Sequence, residues 1–239
     1  MKLQSDERNE KIEAQLEAEH KPLGVVAVAP GSGTAKILES LGVDVVISGG
    51  QTMNPSTADI LAAVNKVNAD AVVVLPNNKN IIMAAQACVE VSEKPCAVVA
   101  TTSVPQAFSA MFGFDGEASL EENVEAMTEA FAEVKTGEVT HAIKDSKDAH
   151  GNPIKDGDVI GIADGSIEAV GSDVSDVVLA LLEAMEADDA DTMTILAGED
   201  FSDEALDALV ARIEETYEDL EIDPHRGEQA LYPVVFSLE

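Results

Sequence analysis

From Gly24 onward the chain alternates short apolar runs with amphipathic segments. Val25–Ala29, Val43–Ile47, Ala71–Leu75 and Ala97–Ala100 read as buried strands, continuous in Val, Ile, Leu and Ala rather than alternating with polar residues. Helices are predicted between them: one through Leu41, one over Ser56–Val67, one reaching Val91, and a short one after Gln106. Four strand–loop–helix units in succession imply a parallel sheet with right-handed crossovers. Ser119-Leu120-Glu121-Glu122 has the S-x-x-E capping form and opens a helix with Leu120, Val124, Met127, Phe131 and Val134 on one face. Thr136-Gly137 then reads as its C-cap, so the first domain is expected to close there.

The second half has a different rhythm. Glu138–Ile143 reads as a strand, followed by a polar turn through Gly151-Asn152-Pro153. Val159–Ala163 and Ser166–Val170 flank Asp164-Gly165, a two-residue hairpin signal. A helix over Asp173–Ala187, a strand at Thr192–Ala197, a helix capped by Ser202 and a closing strand at Val234–Leu238 complete an α+β pattern. Residues 3–20 are polar and helix-prone. The predicted plan is a polar helical arm over 1–21, a parallel α/β domain over 22–136 and a smaller α+β domain over 137–239.

Composition fits this plan. Hydrophobic residues make up 46% of the chain, but aromatics only 3% and Trp is absent, so the core is aliphatic. The net charge of −32 excludes nucleic acid and anionic membrane surfaces as partners. From Gly137 onward 27 acidic residues face 5 basic ones. Two readings of that excess stay open: a solvated surface that maintains solubility, or an anionic face for a basic protein partner. Cys88 and Cys96 are the only cysteines, too few for a disulfide scaffold, and both sit in apolar segments. No signal peptide is evident and no run reaches the roughly 20 apolar residues of a membrane span, which suggests a cytoplasmic protein.

The chemistry-bearing positions cluster at the predicted strand ends, where open α/β sheets bind their ligands. They are Ser32, Gly33 and Thr34; Gly49, Gly50, Gln51, Thr52, Asn54 and Ser56; Asn77, Asn78 and Asn80; and Thr101, Thr102 and Gln106. Amides, hydroxyls and backbone N–H groups can hydrogen-bond a ligand or a peptide without bringing charge. The alternative for each is a helix cap or turn residue. Gly31-Ser32-Gly33-Thr34 resembles a phosphate-cradling turn but completes neither glycine-rich phosphate motif, so a plain tight turn into a helix is the better account. The histidines lack metal-ligand spacing, and the span from Gly24 to Lys135 contains none. No catalytic residue and no metal site is expected. His225 with Arg226 could supply a base and an anion clamp; a surface pair is the simpler reading.

Five motifs carry a family resemblance: Gly49-Gly50-Gln51-Thr52-Met53-Asn54-Pro55-Ser56-Thr57, Leu75-Pro76-Asn77-Asn78-Lys79-Asn80-Ile81, Leu120-Glu121-Glu122-Asn123-Val124, Val134-Lys135-Thr136-Gly137-Glu138-Val139-Thr140 and Gly161-Ile162-Ala163-Asp164-Gly165. With them the chain resembles the C-terminal region of the bacterial fatty acid kinase A subunit, often labelled dihydroxyacetone-kinase-like, over roughly Pro22 to Glu239. The resemblance implies a two-domain DegV-like fold, related to the fatty-acid-binding B subunits of the same system. It also implies a C-terminal module that engages the acyl-binding B subunit while a separate N-terminal domain, with Mg-ATP, phosphorylates the fatty acid to acyl-phosphate. No counterpart of that nucleotide domain is expected here, so no cofactor and no kinase activity are expected of this chain alone. Alternatives are a DegV-like lipid carrier or an autonomous dihydroxyacetone-kinase-type enzyme, and self-association into a homo-oligomer stays open. Relatives tend to carry a second glycine and a proline where this chain has Gly227-Glu228-Gln229-Ala230-Leu231-Tyr232-Pro233. Gln51-Thr52-Met53-Asn54 also stands where fatty-acid-binding relatives carry a threonine-serine loop, which favours a contact loop over a lipid headgroup site.

Overall fold

The structure, a computed structural model, describes residues 20–50, 53–148 and 151–239. Residues 1–19 of the predicted arm, Gln51, Thr52 and His150 lie outside the described residues, and Lys21, placed at the arm's end, instead opens the first strand. The fold is α/β, with seven α-helices and two main sheets among the described residues. It divides into two compact units. Among the described residues, one comprises those up to Ala29 and Leu38–Phe131; the other comprises Pro30–Ile37 and Ala132–Glu239.

The first unit is built on four parallel strands, β1 (Lys21–Ala29), β2 (Val45–Ser48), β3 (Ala69–Leu75) and β4 (Cys96–Val98), in the order β2-β1-β3-β4. Val25, Val26, Val72, Val73 and Val74 are fully buried at its centre, as strands shielded on both faces require. Helix α1 (Ser32–Ser40) connects β1 to β2, α2 (Thr57–Lys66) connects β2 to β3, and α3 (Lys79–Val91) connects β3 to β4. Ile60 and Val64 on α2 and Ile81, Ala85 and Cys88 on α3 join Val26, Val28, Val72 and Val74 in one aliphatic core. Helices α4 (Val104–Phe112) and α5 (Leu120–Ala130) follow and pack on each other, with α5 against β3 and β4. The Ser119–Glu122 capping box forms as expected.

The second unit begins with β5 (Lys135–His141) and a small separate hairpin of β6 (Ser146–Lys147) and β7 (Pro153–Ile154). Strands β8 (Val159–Ala163), β9 (Ser166–Gly171), β10 (Thr192–Ala197), β11 (Glu221–Arg226) and β12 (Val234–Leu238) follow. With β5 they make a six-stranded mixed sheet in the order β11-β10-β12-β5-β8-β9. Asp164 and Gly165 adopt φ of 48° and 95°, the left-handed pair of a type I′ turn, as their sequence predicts. Helices α6 (Val174–Ala184) and α7 (Asp203–Thr216) bury Val177, Val178, Leu181 and Leu182, and Leu206, Leu209 and Ile213, in one cluster with Ile195 and Phe236.

Three sequence expectations change. Helix α5 stops at Ala130, and Thr136 and Gly137 lie on β5, paired with Ser237 and Phe236. Gly137 is therefore a strand glycine rather than a helix cap: the Phe236 ring occupies the space a Cβ would fill. β11 does not stand out in the sequence because EIDPHR is polar; as an edge strand it needs only its backbone to pair with β10. Finally, Pro30–Ile37 belongs to the second unit, although it follows directly from the first strand of the first.

Candidate functional site

Because β1–β4 are parallel, their carboxyl ends lie along one edge of the first unit's sheet, and three of the predicted loops meet there. After β2, the Gly49 N–H donates to Ala29 O at 3.1 Å and the Gly50 N–H to Met53 O at 3.1 Å. Gly50 has φ 110°, and a Cβ on Gly49 would stand 2.6 Å from Met53 O, so this turn is shaped for two glycines. Ser56 caps α2 in a full capping box, accepting from the Asp59 N–H at 3.2 Å while Asp59 Oδ2 accepts from the Ser56 N–H at 2.8 Å. The Ser56 hydroxyl, donating to Asp59 Oδ2 at 2.6 Å, and then the Ser56 N–H hold the Asp59 carboxyl below the usual carboxylate range.

After β3, Asn77 takes a left-handed φ of 56° and is buried. Its Nδ2 donates to Val28 O at 2.8 Å, and its Oδ1 accepts from the Thr101 hydroxyl at 2.6 Å. This one side chain joins the ends of β1 and β4. Asn78 caps α3, its Oδ1 accepting from the Asn80 N–H at 2.8 Å, and its Nδ2 donates to Gly50 O. After β4, Gln106 Oε1 accepts from the Thr102 N–H at 2.7 Å and the Thr102 hydroxyl at 3.0 Å, and Ser103 caps α4. The three loops are thus laced to one another by their own amides. Met53, Asn54, Ser56 and Asn80 remain exposed along this edge.

The fourth loop goes elsewhere. The Gly33 and Thr34 N–H groups both donate to Gly227 O at 3.1 Å, and the Thr34 hydroxyl donates to Pro30 O and to Gly31 O. The Arg226 carbonyl fills the space beside Gly33, so only glycine fits there. The amides that a phosphate would need are bonded to a protein carbonyl, and this is the plain tight turn into a helix. Ser32, Gly33 and Thr34 therefore belong to the second unit, not to the edge shared by the other three loops.

His225 and Arg226 lie on β11. His225 Nε2 pairs with Asp223 Oδ2 at 2.7 Å. The Arg226 guanidinium donates to Phe201 O, to Gly198 O at 3.0 Å and to Glu228 Oε1 at 3.2 Å. It holds the second unit's own loops together. No local pattern pointed to Gln229, which is buried and donates to Leu196 O at 2.7 Å and Tyr232 O at 3.2 Å; only its place in the Gly227–Pro233 motif marked it. Among the described residues, no group of three or more His, Cys, Asp or Glu is placed to hold a metal, and no helix is long and apolar enough to cross a membrane.

The model of the family of C-terminal regions like that of the fatty acid kinase A subunit matches residues 24–239. The chain belongs to that family. The protein YloV of Bacillus subtilis is 42% identical over 219 residues, which are 92% of this chain and 39% of that protein. The chain thus spans well under half the length of such a curated relative. Among solved structures, a DegV family protein from Thermus thermophilus, described by its fatty acid binding, superposes with a TM-score of 0.61 at 14% identity, over 91% of this chain and 99% of that one. The fatty acid kinase B3 protein of Streptococcus pneumoniae, solved with linoleic acid, gives a TM-score of 0.58 at 14% identity, again over 91% and 99%. At this identity the likeness establishes a shared DegV-like fold.

Proposed function

We propose that this chain acts as the C-terminal, partner-binding module of a fatty acid kinase A subunit, docking an acyl-loaded, DegV-like B subunit so that a separate nucleotide domain can phosphorylate the fatty acid. The observation that carries this reading is the family match across residues 24–239. The loop edge of the first unit is consistent with it. Asn54, Ser56 and Asn80 offer hydrogen bonds and Met53 an adaptable apolar contact, while the loops themselves bring no histidine, cysteine, aspartate or glutamate. Gly49, Gly50, Asn77, Asn78, Thr102 and Gln106 shape that same contact edge.

The test is titration of this chain against a B subunit loaded with oleate, followed by surface plasmon resonance. Association in the micromolar range or tighter is expected, with at least about tenfold weakening by Met53→Asp or Asn80→Arg, since either places a charge at a contact. No association at about 100 μM overturns the reading. A second reading, that the chain itself carries a fatty acid, draws on the fold shared with the fatty-acid-binding DegV protein. Native mass spectrometry separates the two: a carrier retains a lipid mass through purification, whereas a docking module does not.

A further inference from the structure

Two adjoining concavities on the second unit share Asp188, Thr216 and Tyr217, where α6, the 3-10 turn at Ala187–Asp189 and the end of α7 come together. Their linings include Leu179, Ala180, Ala187, Ala190 and Leu220, and the half-buried Tyr217 is common to both. Their rim is anionic, with Glu183 and Asp188 on one side and Glu215, Glu218 and Asp219 on the other. Neither concavity is lined by a lysine or arginine. Two cations on flanking elements are committed elsewhere: Arg212 pairs with Asp176 at 2.8 Å, and the Lys135 ammonium donates to Met185 O at 3.1 Å. Glu183 and Asp188 line the same concavity as the Tyr217 ring, and burial, then the charges of Asp188 and Glu183, hold its phenol above its ordinary value.

We infer that this groove docks an arginine-bearing segment of a protein partner, the guanidinium against the carboxylate rim and its alkyl stem along Tyr217. The shape is open, suited to a protruding side chain rather than to an enclosed small molecule. Its charge rejects anionic ligands, and its carboxylates are not grouped for a metal ion. Arginine fits better than lysine because its planar head is weakly hydrated and stacks on an aromatic face. Each exposed ion pair is weak by itself, so affinity must come from several carboxylates acting with the ring. This assignment is independent of the acyl-partner reading above, since it rests on the groove alone.

The probe is a fluorescein-labelled hexapeptide alternating arginine and leucine, titrated at about 0.15 M salt, where long-range attraction is largely screened. A protein this acidic attracts any polycation, so two variants of equal charge are compared. One carries Glu183→Gln, Asp188→Asn and Glu215→Gln in the groove; the other carries Glu121→Gln, Glu125→Gln and Glu129→Gln on the exposed side of α5. All six positions are exposed and the replacements are isosteric, so both variants should fold. The groove variant should bind about tenfold more weakly, some 1.4 kcal/mol, and the α5 variant within about twofold of the parent. Tyr217→Leu should weaken binding severalfold. Equal losses in the two triple variants, an unchanged affinity for Tyr217→Leu, or no binding of the peptide to the parent each overturn the assignment.

Discussion

Replacing Asn77 by alanine tests whether the loop edge is held by its own amides. The substitution removes the donor to Val28 O at 2.8 Å and the acceptor of the Thr101 hydroxyl at 2.6 Å, both within buried surroundings. Losing the Thr101 bond costs about 1 kcal/mol, and leaving the buried Val28 carbonyl without this partner costs about 1–3 kcal/mol. The backbone adds a further term, because alanine in the left-handed region costs roughly 1–2 kcal/mol and Asn77 holds φ 56°. The total is about 3–6 kcal/mol, a large share of the ~5–15 kcal/mol that stabilises a typical domain. Thr101→Val removes the other end of that bond and also the acceptor of the Asn77 N–H at 3.2 Å, so with one bond common to both changes the double variant should lose less than the two single losses combined, with a coupling of about 0.5–3 kcal/mol. The chain has no Trp, so urea unfolding is best followed by far-ultraviolet circular dichroism. If Asn77→Ala unfolds within about 1 kcal/mol of the parent with an unchanged slope, or if the two losses simply add, the lacing account is wrong.

Gly137→Ala should destabilise the second unit by about 1–3 kcal/mol or more, because the buried Phe236 ring must move to admit a methyl group. Adding Phe236→Leu should recover part of that loss in urea unfolding; no recovery would place the strain elsewhere. Cys88 gives a prediction in the alkaline range. Burial first, and then the neighbouring Cys96 thiol, push its value up to about 11 from an ordinary 9.0, so folding favours the neutral thiol. That contribution is complete below the unfolded value and is lost as pH rises through the folded one. Melting temperatures of the parent and Cys88→Ala should therefore converge between about pH 9 and 11. Parallel curves across that window would show that Cys88 is not titrating from a buried state.

Most elements could be read from local pattern because their causes are local. A run of branched aliphatic residues buries a strand on both faces, as in Val72–Leu75, and Ser119 with Glu122 closes a helix start by bonds within one turn. Asp164-Gly165 sets the hairpin by φ preference alone. Gly137 misled for the opposite reason. A glycine after an amphipathic segment looks like a cap, and nothing nearby in sequence announces Phe236, which lies about a hundred residues away across a ladder. β11 stayed hidden because an edge strand satisfies its backbone without an apolar face.

The candidate site divides along the same line. The sequence by itself determined that the strand-end loops are rich in amides and hydroxyls and poor in groups that react, because side-chain chemistry is fixed by residue type. It also determined the family, through motifs that the match over residues 24–239 covers. Only the tertiary structure decided which of those amides are spent. Asn77, Asn78 and Gln106 turn inward to partners distant in sequence or in the next turn, while Asn54 and Asn80 face solvent. Only it decided that Gly31–Thr34 leaves the other loops and seats on the backbone of Arg226 and Gly227. Hydrogen-bond partnership and close backbone approach depend on where remote segments arrive, and no local pattern of polarity encodes that arrival.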